Sequence, residues 1–574
     1  MNSLKEKLGV IGEKRWFKIA FALLATLPLF AALYLAFYYI YGPGEGYFHS
    51  DCTDTMYWAN AALEGNGIFD PQYNYAALLP FSTVWIMQPL IKLFGFGMTA
   101  HNLGMAIFAV LFAGSIYFCA RSAKLSHLWS STAVFAVFML LSCSDKLREM
   151  MWGHTIYYSL GLLLMFYLLG LGMRLCDALE EGKTVPAIIF GVLLLGMSVG
   201  SATNGMQIVV LTVLPAAAAF AAERILSAKD GLLSKKTLPA FFSAVVIVAG
   251  TLGGITLLKV ITNDGEIRAG YAAGYSGWSA VSSWLSNAQK FVNHYFSLLG
   301  VNMEQNAPIF DGESVKYFFR IAVGIILLVM PVVILCLYGR IKSRGVRLMV
   351  WAHFVLTAVV VFGYICGELS AANWRLTPIL GSAAMLTVCG MRDLVSDLGL
   401  FEIKENGGAT VVLSRVCALV LAAVIVSSLV FADEVKALDP EYGRDNTNHR
   451  LAEFLVEEGL EYGYATFWYS QAITVLTNSE VRVRNMDVND RSGVIGRHYQ
   501  SSLDWYNDQE GVSEYFVILS LSEYKKVFTT DSWQTWMDEC YLRHYDSPND
   551  ANGFLIYVFS ENVLRDFGSD ARAE

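Results

Sequence analysis

Charged residues are scarce in this chain. They make up 16% of its 574 residues, whereas 55% are hydrophobic, and the mean hydropathy is +0.45. This composition is too apolar for an ordinary soluble domain, and the length leaves room for many membrane spans and a folded appendage. Because the sequence also lacks a basic stripe and any zinc-ligand spacing, we expect no nucleic-acid partner.

Paired cysteines and nucleotide-binding motifs are also lacking. Seven of the nine cysteines lie in or beside apolar segments, and only Cys52 and Cys540 fall in regions that we expect to be exposed. Their spacing gives no support to a disulfide, so the pattern favours small buried side chains. The C-terminal part has no P-loop, dinucleotide fingerprint or nucleophile elbow, which argues against a cytosolic nucleotide-sugar enzyme.

Long apolar runs are abundant. A spanning helix needs about 20 mainly apolar residues, and eleven segments approach this length. They are 17–41, 98–119, 128–143, 155–175, 185–200, 205–222, 238–261, 317–337, 348–366, 376–391 and 412–431. The apolar segment 81–94 contains Pro89 and Lys92, so we predict an interfacial or half-inserted helix there.

Basic residues indicate how the chain is oriented. They precede the first predicted span and then occupy every second loop, including Arg121 and Lys124. Since loops rich in Lys and Arg stay in the cytoplasm, we predict a multi-pass cell-membrane protein with a cytoplasmic amino end. An odd number of spans then places the C-terminal part outside. Residues 432–574 carry a formal charge of −14, whereas the preceding residues carry +5.

Three segments are therefore expected outside: 42–80, 262–316 and 432–574. The chain divides into a transmembrane domain, 1–431, and an extracytoplasmic domain, 432–574. In the latter, "LAEFLVEEGL" predicts an amphipathic helix, and "YGYATFWY", "AITVLTN", "VRVRNM", "YFVILS" and "GFLIYVFS" predict strands. The fold class that follows is an α-helical polytopic membrane protein with a C-terminal α/β domain.

Two acids open the first outer loop, in "HSDCTDTMYWANAALEGNG". Asp51 and Asp54 lie one turn apart on a helix that we predict to be capped by Asp51 or Thr53 and closed by Gly65. The alternative is a capped interfacial helix with Trp58 in an aromatic belt at the headgroups. The residues by themselves favour this simpler interpretation.

This stretch, followed by "YNYAALLPFSTVWIMQPLIKLFGF", resembles the opening of the GT-C membrane glycosyltransferases, the superfamily of protein O-mannosyltransferases and aminoarabinose transferases. The resemblance implies transfer of a sugar from a polyprenyl-phosphate donor to a glycan, lipid or protein acceptor at the outer face. In that family the two acids are adjacent or nearly so, whereas here the spacing is D-x-x-D. Either Asp51 or Asp54 therefore matches the catalytic acid, and we favour Asp51.

The implied chemistry needs a base and a cation. A carboxylate beside an acceptor hydroxyl acts as a general base, and a positive charge stabilises the leaving phosphate. By resemblance, Arg375 in "GELSAANWRLTP" contacts the donor phosphate. The alternative is an arginine that anchors a helix end by snorkelling.

The second outer loop, "CSDKLREMMWGHT", contains further candidates. By resemblance, Asp145 or Glu149 is a second carboxylate. Arg148 is a candidate for substrate binding, and His154 could orient a substrate. A solvated turn with internal ion pairs, and for His154 an interfacial histidine with a satisfied partner, is the simpler interpretation.

Arg268 and Tyr271 in the long outer loop are candidates for the donor site, beside a Gly/aromatic run typical of a lid or a sugar-stacking surface. In the C-terminal part, Trp468, Tyr469 and Gln471 could contact a sugar, although an aromatic strand in the domain core is the simpler interpretation.

We predict no cofactor apart from the lipid-linked donor. Asp51 and Asp54 could bind a divalent ion together with substrate phosphate, but the resemblance does not call for one and we predict no metal. Membrane lipids are expected around the spans. Two rival functions stay open: a transporter or flippase of lipid-linked saccharide, and a non-catalytic membrane scaffold whose tail binds a partner.

Overall fold

The structure is a computed structural model that describes residues 15–65, 67–227, 238–263, 267, 277–303, 308–398, 408–546, 553–565 and 567. Within these ranges, ten helices are long and apolar enough to cross a membrane, and an eleventh apolar helix is shorter. They are α1 (Arg15–Ile40), α2 (Met98–Ser122), α3 (His127–Leu140), α4 (Tyr157–Glu180), α5 (Thr184–Thr203), α6 (Gly205–Leu226, with a π-helical turn at Val209–Val213), α7 (Leu238–Ile261), α8 (Gly312–Cys336), α9 (Arg344–Ile365), α10 (Thr377–Leu398) and α11 (Gly408–Lys436).

The shorter helix is α3, for which the sequence predicted a span over 128–143. It has 14 residues, which corresponds to about 21 Å, whereas the hydrocarbon core is about 30 Å thick. Helices α1, α2, α10 and α11 pack around it, and its residues from Ala133 onward are buried. A helix surrounded by protein does not have to match the bilayer thickness. The expected length of a spanning helix therefore led the sequence analysis to overestimate the length of α3.

Ion pairs hold the loops together at one end of the helix bundle. Lys124 pairs with Asp177 between the ends of α2 and α4. Arg347 Nη2 lies 2.9 Å from Glu223 Oε1 and so links α9 to α6. The short helix Tyr338–Arg340 lies in the connection at this end. The basic loops predicted to be cytoplasmic therefore meet on one side of the molecule.

Short helices occupy the opposite end. The described ones are Pro43–Gly46, Ser50–Thr53, Asp54–Glu64, Val84–Phe94, Asp145–Arg148, Glu149–Gly153, Val281–Ser283, Trp284–Leu298, Leu369–Ala371 and Asn373–Leu376.

The first outer loop contains the predicted helix, but its cap differs from the prediction. The helix Asp54–Glu64 ends before Gly65, as expected. It begins after a 3₁₀ turn, Ser50–Thr53, so Asp51 lies inside that turn and is not the cap. Thr53 occupies the cap position without capping, because its hydroxyl lies 2.7 Å from the Ser50 carbonyl oxygen.

The C-terminal part forms a six-stranded mixed sheet. In spatial order, its strands are β4 (Gly493–Gly496), β3 (Arg482–Asn489), β2 (Tyr462–Thr466), β6 (Tyr515–Ser520), β8 (Phe554–Phe559) and β7 (Tyr541–Asp546). β2 lies parallel to β3 and β6, and the remaining pairs are antiparallel. Four helices accompany the sheet. They are α12 (Thr447–Glu457), α13 (Gln471–Leu476), α14 (Leu521–Val527) and α15 (Asp531–Glu539). Two 3₁₀ turns, Phe467–Tyr469 and Leu503–Tyr506, complete the domain.

One strand prediction is wrong. The segment "AITVLTN" forms helix α13 instead of a strand. It connects β2 to β3, and two parallel neighbours require a crossover connection, usually a helix. Its residues from Ala472 to Val475 are buried, and a short buried run has no periodicity that separates helix from strand.

The C-terminal part is tied to the first outer loop. β1 (Tyr73–Asn74) pairs antiparallel with β5 (Ser501–Ser502). Nearby, Asn446 Nδ2 donates a hydrogen bond of 2.7 Å to the Gly46 carbonyl oxygen. Helix α11 continues past the predicted boundary at residue 431 and ends at Lys436, so the last membrane helix leads directly into this contact.

Candidate functional site

A cavity of about 800 Å³ lies where the outer loops, three membrane helices and the C-terminal sheet domain meet. Five of the residues predicted from the sequence line it: Asp51, Asp54, Glu149, His154 and Arg375. They come from three separate outer segments, so the fold brings together side chains that the sequence separates widely.

The opposite wall of the cavity is apolar. Tyr157 comes from α4, Val210 and Leu211 come from α6, and Val360 and Phe362 come from α9. Cavities of this kind, with an apolar wall and a few convergent polar groups, are typical ligand sites. This cavity suits an amphiphile whose chain contacts the helices and whose charged head reaches the polar end.

Asp54 lies at the polar end and is buried. His154 Nε2 is 3.3 Å from Asp54 Oδ2, and Gln500 Nε2 donates a hydrogen bond of 2.6 Å to Asp54 Oδ1. Burial raises the pKa of Asp54 to about 6, against the lowering effect of His154. Burial lowers the pKa of His154, but its hydrogen bond to Asp54 and the negative charges of Asp54, Asp51 and Glu149 together outweigh burial, so the net direction is upward.

Asp51 lies on the cavity wall and is partly exposed. Its backbone N–H donates to His49 Nδ1 over 3.3 Å, which fixes the 3₁₀ turn. Within the described part of the chain, no hydrogen-bond donor or cation contacts the Asp51 carboxylate. Of the two acids, Asp51 is the one whose oxygens are available to an incoming hydroxyl.

Two cations face the same cavity. Arg375 lies in the 3₁₀ turn Asn373–Leu376, immediately before α10, and its Nη1 donates a hydrogen bond of 2.6 Å to the Glu368 carbonyl oxygen. Lys146 Nζ lies 2.5 Å from Glu149 Oε2 and 4.8 Å from the centre of the Trp374 ring. The site thus places the positive charges of Arg375 and Lys146 in the same cavity as the carboxylates of Asp51, Asp54 and Glu149, and such cations can stabilise a negatively charged group.

Glu149 is the acid of the second outer loop that lines the cavity. Burial raises its pKa, but His49 and Lys146 outweigh burial and lower the pKa to about 2. An acid that two cations hold in its ionised form is a weak base. Glu149 therefore contributes a negative charge that balances the positive charges of His49 and Lys146. The other candidate, Asp145, is exposed and pairs with Arg148.

Arg148 itself is buried away from the cavity lining. Its Nη1 donates a hydrogen bond of 2.8 Å to the Ser142 carbonyl oxygen, and its guanidinium lies 5.7 Å from the centre of the Tyr39 ring. The Asp145–Arg148 pair therefore closes the turn after α3. Both side chains stay candidates for substrate binding only by resemblance.

The remaining predicted site residues have different surroundings. Trp58 is buried, and its Nε1 donates a hydrogen bond of 2.9 Å to Gln500 Oε1. Gln471 is also buried and donates to the Gln500 carbonyl oxygen, whereas Trp468 is exposed. Arg268 and Tyr271 lie outside the described residues.

Several residues of the cavity were not predicted. They are Lys146, Trp374, Tyr499 and Gln500. Lys146 belongs to the same short loop as His154, so the need for a cation at the outer surface could have singled it out. Gln500 and Tyr499 lie in the C-terminal domain, and no local sequence pattern indicates that they reach a site built on the first loop.

Metal ligands are not clustered in the described ranges. Within them, no group of three or more His, Cys, Asp or Glu side chains is placed to hold a metal ion. Cys52 and Cys540 are free thiols. Their spacing in the sequence had given no support to a disulfide.

No protein-family model and no curated protein matches the sequence. Among solved structures, a crystal structure of ArnT from Cupriavidus metallidurans bound to undecaprenyl phosphate aligns with a TM-score of 0.51 and 12% sequence identity, covering 96% of this chain and 99% of that one. The archaeal oligosaccharyltransferase AglB from Archaeoglobus fulgidus, in complex with an inhibitory peptide and a dolichol-phosphate, aligns with a TM-score of 0.48 and 12% identity, covering 94% of this chain and 74% of that one. The first likeness shows that this chain shares the fold of that ArnT structure, and the ten candidate membrane helices with the C-terminal sheet domain confirm the predicted class of a polytopic helical membrane protein with an α/β domain.

Proposed function

We propose that this chain is a membrane glycosyltransferase that takes a sugar from a polyprenyl-phosphate donor and transfers it to an extracytoplasmic glycan, lipid or protein. One observation carries this proposal: a single cavity joins an apolar wall of membrane helices to a polar end lined by acidic and basic side chains, among them Asp51, Asp54, Lys146 and Arg375. The ArnT structure that shares this fold was bound to undecaprenyl phosphate, which supports a lipid-phosphate ligand for the cavity.

The reaction is a single displacement at the anomeric carbon of the donor. As the acceptor hydroxyl attacks, Asp51 accepts its proton and a new bond forms between the acceptor oxygen and the sugar. The bond between the sugar and the phosphate oxygen breaks, and polyprenyl phosphate leaves with the electron pair. Attack from the opposite face inverts the configuration at that carbon. Arg375 and Lys146 stabilise the negative charge of the leaving phosphate.

Asp54 has a different task from Asp51. Glycosyl transfer passes through a transition state with positive charge on the sugar ring. The buried Asp54 carboxylate, held by His154 and Gln500, is placed to stabilise that charge. As the sequence predicted no metal, we propose a mechanism without a metal ion. Chelation with EDTA is then expected to leave the rate of sugar transfer unchanged.

The test uses the full-length chain in lipid nanodiscs, supplied with polyprenyl-phosphate sugars and candidate acceptors. The measured products are free polyprenyl phosphate and glycosylated acceptor. Removal of a general base slows a reaction by about 10²- to 10⁴-fold, so Asp51→Asn should lower kcat by that factor and leave donor binding nearly intact. Glu64→Gln is the matched control, since Glu64 is an exposed acid on the helix that begins at Asp54.

The outcomes separate this proposal from its rivals. If Asp51→Asn and Asp54→Asn both retain full transfer, the mechanism proposed here is wrong. If the wild-type chain transfers no sugar but moves labelled lipid-linked saccharide between the leaflets of a vesicle, the cavity belongs to a transporter. A scaffold would do neither.

A further inference from the structure

Gln500 joins the C-terminal domain to the acidic end of the cavity. Its side chain bridges two residues of the first outer loop, with Oε1 accepting from Trp58 Nε1 at 2.9 Å and Nε2 donating to Asp54 Oδ1 at 2.6 Å. An indole nitrogen can only donate and an ionised carboxylate can only accept. The two neighbours therefore fix the orientation of the amide, with its NH₂ group toward Asp54.

The backbone of Gln500 is held as firmly as its side chain. Its carbonyl oxygen accepts hydrogen bonds of 2.7 Å from both Gln471 Nε2 and Asn485 Nδ2, and its N–H donates to the Asn74 carbonyl oxygen over 2.9 Å. The residue has φ = +56°, in a left-handed conformation that non-glycine residues seldom adopt. Such a conformation persists only where surrounding contacts over-determine it, and it occurs often at functional sites.

We propose that Gln500 is a positioning residue that fixes the Asp54 carboxylate for sugar transfer, and that the C-terminal domain functions by delivering it. This inference rests on the proposed function. His154 holds one Asp54 oxygen and Gln500 holds the other. Without Gln500, the carboxylate keeps a single anchor and can rotate away from the geometry that the transition state requires.

The loss of Gln500 also has an electrostatic consequence. The charges that act on Asp54 come from His154 in the second outer loop and from Asp51 and His49 beside it, and the buried phenol of Tyr73 lies nearby. Gln500 is uncharged, but its N–H stabilises the ionised carboxylate. Its removal should therefore raise the pKa of Asp54 and move the acid limb of the pH–rate profile to higher pH.

The decisive variant is Gln500→Met, which keeps the length of the side chain and removes the donor. The variant lacks a hydrogen bond to a charged group in the transition state, so its kcat should be about 10- to 100-fold lower. The KM for the donor should stay within about threefold, because Asp54 does not bind the lipid phosphate. The control is Gln509→Met, since Gln509 belongs to the same domain and its amide bonds only to carbonyl oxygens of its own loop.

A purely structural role predicts a different pattern. It would lower the melting temperature and the amount of folded protein without moving the acid limb of the remaining activity. If Gln500→Met does not fold, Trp58→Phe keeps the proposal testable, because it removes the N–H that orients the Gln500 amide and keeps an aromatic ring at that position. It should shift the acid limb in the same direction by a smaller amount.

The two proposals fail in different ways. An unchanged kcat and pH profile in folded Gln500→Met, in an assay where Asp51→Asn abolishes transfer, would overturn the role of Gln500 and leave the proposed function standing. An unchanged pH profile in Trp58→Phe would do the same if Gln500→Met is unfolded. Absence of transfer by the wild-type chain would overturn both proposals.

Discussion

At the scale of single residues, the site depends on how differently two nearby acids are surrounded. Asp51 faces the cavity with its carboxylate open, whereas Asp54 is buried between His154 and Gln500. Pairs of titratable groups in contrasting surroundings commonly divide the work of a reaction between them. Both acids line the same cavity, and the burial of one is the basis for the different tasks proposed for them.

The His154–Asp54 contact predicts a dependence of activity on pH. Since burial raises the pKa of Asp54 to about 6 and the ionised form is required, the transfer rate should rise with pH through about 6. His154 lowers the Asp54 pKa by its hydrogen bond and charge. His154→Asn should therefore move the rise of the transfer rate to higher pH. The measurement is kcat/KM over a range that extends to both sides of pH 6.

His544→Asn is the control for this prediction, because His544 lies on β7 at the surface of the C-terminal domain and contacts Tyr541. Its profile should match that of the wild-type chain. A His154→Asn profile that coincides with the wild-type one would show that His154 does not set the ionisation of Asp54.

The residues of the first two outer loops could be recognised from the sequence, but their partners could not. Asp51, Asp54 and His154 stand beside apolar runs, where polar groups are conspicuous. Gln500 lies 446 positions after Asp54 and carries no charge. A neutral amide in an acidic soluble domain has no local feature that separates it from other surface amides, so only the folded chain reveals its contact.

At the scale of elements, one break between two membrane helices supports the first outer loop. Helix α5 ends at Thr203 and α6 begins at Gly205. Between them, Asn204 receives the N–H of Phe81 at 2.9 Å and donates to the Phe81 carbonyl oxygen at 2.8 Å. This turn therefore holds the chain just before the helix Val84–Phe94.

We expect Asn204→Ala to destabilise this junction. It removes two hydrogen bonds to a part-buried backbone, which should lower the free energy of unfolding by about 1–3 kcal/mol. The measurement is the melting temperature in nanodiscs, together with proteolysis of the first outer loop. Gly196→Ala is the matched control, because its added Cβ would meet open space on the exposed side of α5 and should leave stability unchanged or slightly higher.

An equal loss of stability in both variants would mean that α5 itself, and not the Asn204–Phe81 contact, limits stability. If the first outer loop of Asn204→Ala still resists proteolysis, the pairing of β1 with β5 is enough to hold that loop in place.

The elements themselves were predictable to different degrees. Membrane helices were found because a long apolar run has few alternative folds in lipid. The short strands of the tail were found where β-branched and aromatic residues alternate, but α13 was missed because its role as a crossover depends on strands elsewhere in the chain. The cap of the helix Asp54–Glu64 was missed because the Thr53 hydroxyl is used by Ser50 and Gln471 instead.

At the scale of the whole molecule, the contacts divide into two opposite ends. At one end, Tyr73 of the first outer loop pairs with Ser502 of the C-terminal domain. At the other end, Lys342 Nζ lies 2.5 Å from Asp397 Oδ1, between the start of α9 and the end of α10. Strand pairing cannot pass through a bilayer, so the first outer loop and the C-terminal domain must lie on the same side of the membrane.

This arrangement predicts the topology of the chain. From the distribution of basic residues we expect the end with Lys342 in the cytoplasm and the acidic domain outside. In a background lacking Cys336 and Cys540, Ser522→Cys should react with a membrane-impermeant maleimide in intact cells, because Ser522 is exposed on α14. Gly339→Cys should react only after permeabilisation, because Gly339 is exposed in the connection between α8 and α9. The reverse labelling would place the whole cavity on the cytoplasmic side and exclude an extracytoplasmic acceptor, whereas labelling of both in intact cells would contradict the division of the molecule into two ends.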